Sequence, residues 1–457
     1  MRIKVVQTSR NLSGHAGLVA LGHCLNHFAQ LPAAIDPKLP VRAGIANSDV
    51  VRSYVGLLAL GKSDFDAIEN YRQDGFFRRS LGLRAVPSSA TLRQRLDEVG
   101  RELQTITDEL PVALLSRASA PVTALPMGHV PLDIDVFCMD NSGTRREGVS
   151  RTYAGYDGYA PIAAYLGAEG WCLGLELREG KHHSAMETDY TLERVLPRAA
   201  ALTQQPVLVR MDSGFDSHRL IAQIVRHGAA RKAAGGAAID LLVKWNPRRN
   251  GAAKVIELAQ GKEDLAWNEP REGKRVAVFS EPLVRVVDGN KYTHTRVYRV
   301  IERRIDKHGQ RLLIPTWQAD GWETSLPVGE DGLRCEEVIG LYADHGTHEQ
   351  FHSEFKTDLD LERLPSGKFD TNDAVLSLAV LAYNSLRLIG QHCLLGKDAP
   401  VRHPGKRRRL RTVMQEIMYL AVSVAEHARL MVLGLVHHAS AYASFKRLVE
   451  GWRIRWA

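Results

Sequence analysis

The sequence predicts an α/β fold, and three observations carry that reading. Leu132, Ile134 and Val136 alternate with Asp133, Asp135 and Phe137, the period of a strand with two different faces. Pro206 to Met211 is a short apolar run that Asp212-Ser-Gly-Phe turns into a helical stretch at Asp216 to His227, a strand–turn–helix unit. Helical patterns flank this central part on both sides.

Taken in order, residues from about 45 to 125 read as helices. Ser48-Asp49 can cap the apolar run Val50 to Leu60, Gly61 ends it, and Asp64 begins the next helix. Pro87-Ser-Ser precedes Ala90 to Val99, where Leu92, Leu96 and Val99 make an apolar stripe and Arg93, Gln94 and Arg95 lie mainly off it. Short helices ending in a capped, arginine-bearing helix resemble a helix-turn-helix, so Arg93 and Arg95 are candidate DNA contacts; a helical bundle with solvated arginines fits the same pattern. After Pro121 the pattern turns to strands, with further runs near 160–166 and 171–177.

Leu241 to Trp245, Arg275 to Phe279, Val284 to Val287, Tyr292 to Ile301 and Leu312 to Trp317 are strand candidates, and Asp288-Gly-Asn290 is a hairpin turn between two of them. This region reads as a mostly antiparallel insertion over 231–334, because helical signals resume at about 334. From Thr347 onward the pattern is helical. It contains the basic run Lys406 to Arg411, which fits a phosphate contact and a solvated linker equally, and an amphipathic stretch from Met414 to Leu435. The most apolar segment, Tyr419 to Val436, is interrupted by Glu426, His427 and Arg429 and reads as a buried helix rather than a membrane span. The expected division is therefore a helical 1–125, a central α/β unit at 126–230 and 335–390, the insertion, and a helical, basic 391–457.

Composition bounds the function. With 457 residues, 44% hydrophobic and 25% charged, the chain has the make-up of an ordinary globular protein of two or three domains. A net charge of +8 favours a polyanionic partner. The five cysteines are scattered with no C-x2-C pair, which excludes a zinc ribbon or disulfide framework and suits a reducing cytoplasm.

Chemistry concentrates in residues 342–356, where Glu349 belongs to two competing patterns. His348-Glu349-Gln-Phe-His352 is H-E-x-x-H, two imidazoles at helical spacing for one Zn²⁺ with a general-base carboxylate, as in a zinc metalloprotease. Its third ligand would have to come from elsewhere, Asp370 and Asp373 being candidates. Alternatively, Tyr342, His345, Glu349 and Lys356 fit Y-x2-R-x3-E-x6-K with His for Arg. In a regular helix His345, Glu349, His352 and Lys356 share one face. Asp135 in one strand and Asp212 at the end of another can converge with Glu349, and three carboxylates suit Mg²⁺ or Mn²⁺. Asp133 and Asp140 rival Asp135 on spacing alone.

These pieces together resemble the DDE-type insertion-sequence transposases of bacteria, in the branch marked by that Tyr–Arg–Glu–Lys frame. The resemblance runs from about Asp49 to Gly390. It is carried by Leu132-Asp-Ile-Asp135, Thr152 to Pro161, Glu176 to Gly180, Val209 to Phe215, Arg363 to Phe369 and Ala382-Tyr-Asn384. It implies a ribonuclease-H-like catalytic core interrupted by the β-rich insertion, in a bacterial, cytoplasmic, nucleoid-associated protein. It also implies cutting at terminal inverted repeats and joining of the 3′-hydroxyl ends to target DNA, by a homodimer or larger assembly. Asp135, Asp212 and Glu349 would bind two Mg²⁺ ions, with Mn²⁺ able to substitute, while Tyr342, His345 and Lys356 would contact DNA. In some relatives a flipped base stacks on a tryptophan of the insertion, for which Trp245, Trp267, Trp317 and Trp322 are candidates. His345 departs from the family's arginine and loses its permanent charge and fork, so a catalytically impaired, transposase-derived DNA-binding protein is the alternative.

Overall fold

The structure is a computed structural model that describes residues 3–6, 11–401, 405–428 and 430–455. Helix α1 (Asn47–Ala59) is buried along its whole length, as a helix enclosed by other elements must be. Asp49 does not cap it: its carboxylate pairs with Arg52 at 2.5 Å and accepts the Arg84 backbone N–H at 3.0 Å. Gly61 closes the helix with φ +67°. Asp64 and Ser88 cap the following 3₁₀ helix (Phe65–Tyr71) and helix α2 (Ser89–Thr107) through the N–H groups of Asp66 and Thr91. A further helix (Gly75–Ser80) stands between α1 and α2. A helix-turn-helix joins its helices by a turn of about three or four residues, so this is a bundle and not that motif. Arg95 is spent inside it, donating to Asn47 Oδ1 at 2.9 Å and the Ile45 carbonyl at 3.3 Å, whereas Arg93 stays half exposed 3.7 Å from Asp66.

The central sheet is built from β1 (Val130–Val136), β2 (Ile162–Leu166), β3 (Trp171–Glu176), β4 (Val207–Met211) and β5 (Ile239–Lys244), in the order β3-β2-β1-β4-β5. β1, β4 and β5 run parallel and β2 is antiparallel to its neighbours β1 and β3. This is the ribonuclease-H-like arrangement. Helices α3 (Thr188–Leu202) and α4 (His218–Ala233) make the β3-to-β4 and β4-to-β5 connections and pack on β3 and β5 respectively.

The insertion holds α5 (Gly251–Gly261) and β6 (Trp267–Arg271), β7 (Lys274–Val287), β8 (Asn290–Ile305) and β9 (Arg311–Thr324). β7 and β8 pair along their length and turn through Asp288-Gly289, both with positive φ, the two-residue hairpin expected from Asp-Gly. β9 pairs antiparallel with β5, so the insertion extends the core into a nine-stranded sheet. β5 thus belongs to the core, and the insertion begins after Lys244 rather than at 231.

Past the insertion, α6 (Cys335–Ala343) and α7 (His348–Ser353) lead to α8 (Phe369–Leu394). α8 is long and apolar enough to cross a membrane, but 94% of its most apolar window is buried. It is the central core helix, packed on α1, α2 and β3. The stretch expected as a buried helix near 419–436 is instead a hairpin, β10 (Val422–His427) and β11 (Leu430–Leu435), and β10 also pairs with Leu12-Ser13. Val422 and Val424 are buried while Ser423 between them is exposed, a strand alternation that helical spacing obscured. Arg429 lies outside the described residues. The middle of the basic run is tied down: Arg407 donates to the Ala168 carbonyl, Arg408 to that of Leu394, and Arg409 pairs with Asp358 at 2.9 Å, while Lys406 and Arg411 stay exposed.

Candidate active site

Parallel pairing sets Asp133 beside Arg210 and Ile134 beside Met211, which brings Asp135 and Asp212 level at the ends of β1 and β4. Because side chains alternate along a strand, Asp133 and Asp135 share a face, as do Arg210 and Asp212. Arg210 grips Asp133 with Nε and Nη2 at 2.6 and 2.8 Å and donates through Nη1 to the Leu341 carbonyl at 2.7 Å. Burial alone would raise the Asp133 carboxyl; Arg210, then His345, outweigh it and hold the group well below the usual range. Asp133 is therefore committed to structure, and Asp140, whose carboxylate accepts the Ser142 N–H at 2.8 Å, is a turn residue.

Among the described residues, Asp135 and Asp212 pair with no arginine or lysine. Asp212 accepts the Gly214 N–H at 2.8 Å, yet burial and then the charge of Asp135 push its carboxyl up. Asp135 is kept ionised by two histidines, His348 Nε2 at 2.5 Å and His352 Nε2 at 3.3 Å from Oδ2; these outweigh its burial and hold it low.

Those histidines arrive on an irregular helix. α6 passes through a 3₁₀ turn (Asp344–Thr347) into α7 and then a π turn (Glu354–Asp358). With about three residues per turn, the 3₁₀ segment stacks residues three apart. His345 therefore lies over His348, with ring centroids 4.1 Å apart, and His348 lies 5.1 Å from His352. The cleft face is His345–His348–His352, not the expected His345–Glu349–His352–Lys356. Glu349 is exposed and makes no hydrogen bond or ion pair among the described residues. His345 is buried with Nδ1 3.0 Å from Asp133 Oδ1.

Tyr342 lies 5.6 Å from His345, and its phenol is raised by burial and by Asp212 and Asp135, so it stands in the field of both carboxylates. Lys356 Nζ donates to the Cys138 carbonyl at 3.0 Å and pairs with Glu362 at 3.1 Å. Trp322 is buried beneath Tyr342 and Arg299 and has no free face for a base. Trp317 is half-buried, edge-on to Trp267. Asp370 and Asp373 do not join the histidines; Asp135 does, with all three donor atoms within 4.8 Å of one another.

Sequence reasoning missed three participants. Arg210 carried a signal, sitting two residues before Asp212 and so on its face. Tyr153 has an exposed ring whose hydroxyl donates to the Val136 carbonyl at 3.1 Å, and it lies in the Thr152–Pro161 segment. Tyr165, whose hydroxyl meets His352 Nδ1 at 3.1 Å, carried no signal.

The family described as transposase DDE domain group 1 matches residues 1–453, and the chain belongs to it. Among curated proteins there is no significant match. Among solved structures, the chain is similar to the cryo-EM structure of the piggyBac transposase synaptic complex with hairpin DNA. That match has a TM-score of 0.44 at 10% identity and covers 90% of this chain and 82% of that one.

Proposed function

We propose that this DDE transposase cuts DNA at terminal inverted repeats and joins the freed 3′-hydroxyl ends to target DNA, using Mg²⁺. The observation that carries the reading is the Asp135–Asp212 pair: two carboxylates brought level by parallel strands, with no arginine or lysine among the described residues to compensate them. The residues fit a hard divalent cation, because an all-oxygen pair is what such an ion prefers and because a cation between them relieves the repulsion that raises Asp212. Such an ion, when bound, supplies Lewis-acid stabilisation and an activated nucleophile for phosphoryl transfer.

The chain's own groups do the rest. β1 and β4 fix the two aspartates, and the Arg210–Asp133 fork anchors α6 through the Leu341 carbonyl. Glu349 is the third carboxylate of the family pattern. It comes into line with Asp135 when the 3₁₀ turn at 344–347 relaxes to α geometry, which restores the four-residue register of His345 and Glu349. Lys356, released from Glu362, and Tyr342 hold DNA phosphates beside the aspartates. His345 acts through Asp133 as a positioning residue. Arg93 and the net charge of +8 draw in DNA, and pairing two ends calls for a symmetric dimer or larger assembly.

Strand cleavage on a labelled inverted-repeat end in Mg²⁺ tests this, comparing wild type with Asp135→Asn, Asp212→Asn and Glu349→Gln. Loss of cleavage in all three is expected, and cleavage that survives removal of either aspartate sinks the proposal. The exposed position of Glu349 favours one second reading, a DNA-binding relative without cleavage. Wild type that binds the end specifically but never cuts it selects that reading.

A further inference from the structure

The H-E-x-x-H histidines find in Asp135 the third donor that sequence could not supply. We propose that Asp135, His348 and His352 form a single-ion site for a borderline transition metal of the Zn²⁺ class, which withdraws Asp135 from the carboxylate pair and so switches cleavage off. The binding half of this proposal stands on the geometry alone; the inhibitory half rests on the proposed function.

His348 Nε2 and His352 Nε2 both face Asp135 Oδ2, at 2.5 and 3.3 Å, and one donor atom from each of the three residues lies within 4.8 Å of the others. A shared proton bridges the closer pair, and a metal ion that displaces it takes the same three donors. His348 Nδ1 meets the carbonyl of His345.

The surroundings match a metal. His352 presents Nε2 to the same oxygen, while its Nδ1 meets the buried Tyr165 hydroxyl and its ring stacks on Phe137 at 4.3 Å. Outer partners on the second ring nitrogen, as both histidines have here, orient metal-bound imidazoles. Two imidazoles and a carboxylate with the remaining position open make a zinc-type set, and imidazole ligands favour Zn²⁺ over Mg²⁺. The neighbouring His345 is committed elsewhere, its Nδ1 lying 3.0 Å from Asp133 Oδ1. Glu349, exposed between the two histidines, takes no part.

The test uses the full chain. Co²⁺ titration read by visible absorption, and Zn²⁺ competition against a chromophoric chelator, are expected to give one site per chain with nitrogen ligation. Either His348→Gln or His352→Ala should weaken it at least about 10-fold, Tyr165→Phe should weaken it by a smaller factor within about 10-fold, and Glu349→Gln should leave it unchanged. Circular dichroism confirms that each variant is folded. Absence of binding in wild type, or binding indifferent to both histidine variants, overturns the site and leaves a proton between His348 and Asp135. In the Mg²⁺ cleavage assay, micromolar Zn²⁺ should inhibit wild type and a chelator should restore it. Zn²⁺ that binds through the histidines without slowing cleavage overturns the inhibitory half. A wild type that binds Zn²⁺ but never cleaves in Mg²⁺ instead sinks the proposed function while the site stands.

Discussion

Asp133 and Asp135 stand two residues apart on β1, and Asp212, just past the end of β4, stands two residues after Arg210, so two facing pairs lie on one side of the sheet. The inner pair is an ion pair, forked and buried. The outer pair is two like charges, one held ionised by histidines and the other pushed up by burial and its neighbour. A fold driven only by stability would place a cation at both levels. Among the described residues the outer level has histidines on Asp135 but no cation on Asp212, and incomplete compensation of that kind is characteristic of sites that bind something charged.

The largest effect expected from this contrast falls on the outer pair. Asp212→Asn should lower cleavage at least about 10³-fold while raising the thermal midpoint, since it removes the repulsion with Asp135. Cleavage assays and calorimetry on the same preparation check both, and a fall in stability would show that Asp212 is a structural residue after all. The inner pair should behave in the opposite way. Asp133→Ala strands Arg210 and should destabilise by about 3–5 kcal/mol in denaturant titration, with the double variant Asp133→Leu/Arg210→Met recovering most of the loss.

A smaller effect separates His345 from the family's arginine. Its site is already filled by the Asp133–Arg210 fork, so His345→Arg should cost about 1–3 kcal/mol through overpacking and should not increase cleavage. A rise in cleavage would mean that this position contacts DNA directly.

The smallest concerns Asp373, a half-buried residue whose carboxyl is raised to about 7 by desolvation and then by the charge of Glu176, with the Leu177 N–H opposing. Its unfolded value lies near 4. Between about pH 4 and 7 the folded chain holds a proton that the unfolded chain has lost, so this group's contribution to stability falls as pH rises through that window. Asp373→Asn should therefore stabilise by on the order of 1 kcal/mol at pH 8 and by little at pH 4, as read from urea midpoints at the two pH values.

The placement of the outer pair was legible only in part: a strand's two-residue period put Asp133 and Asp135 on one face without choosing between them, and the turn after Asp212 marked the end of β4. Glu349 was legible as a family position but not as a location. One 3₁₀ turn at 344–347 changes the helical phase, and nothing in Asp-His-Gly-Thr announces it. The β10–β11 hairpin escaped for a different reason. Its partner, Leu12-Ser13, lies at the other end of the chain, and residues 410–418 before it do form helical turns. Arg95 and Arg407 to Arg409 read as open cations because sequence shows a charge but not the carbonyl or carboxylate that will claim it.

Mg²⁺ binding to the full chain, followed by calorimetric titration, tests the contrast most directly. Asp212→Asn should weaken Mg²⁺ at least about 10-fold, while the Asp133→Leu/Arg210→Met double variant should bind as wild type does. Mg²⁺ binding that survives Asp212→Asn unchanged, or that disappears with the inner pair, would contradict the assignment of the outer carboxylates as the reactive site.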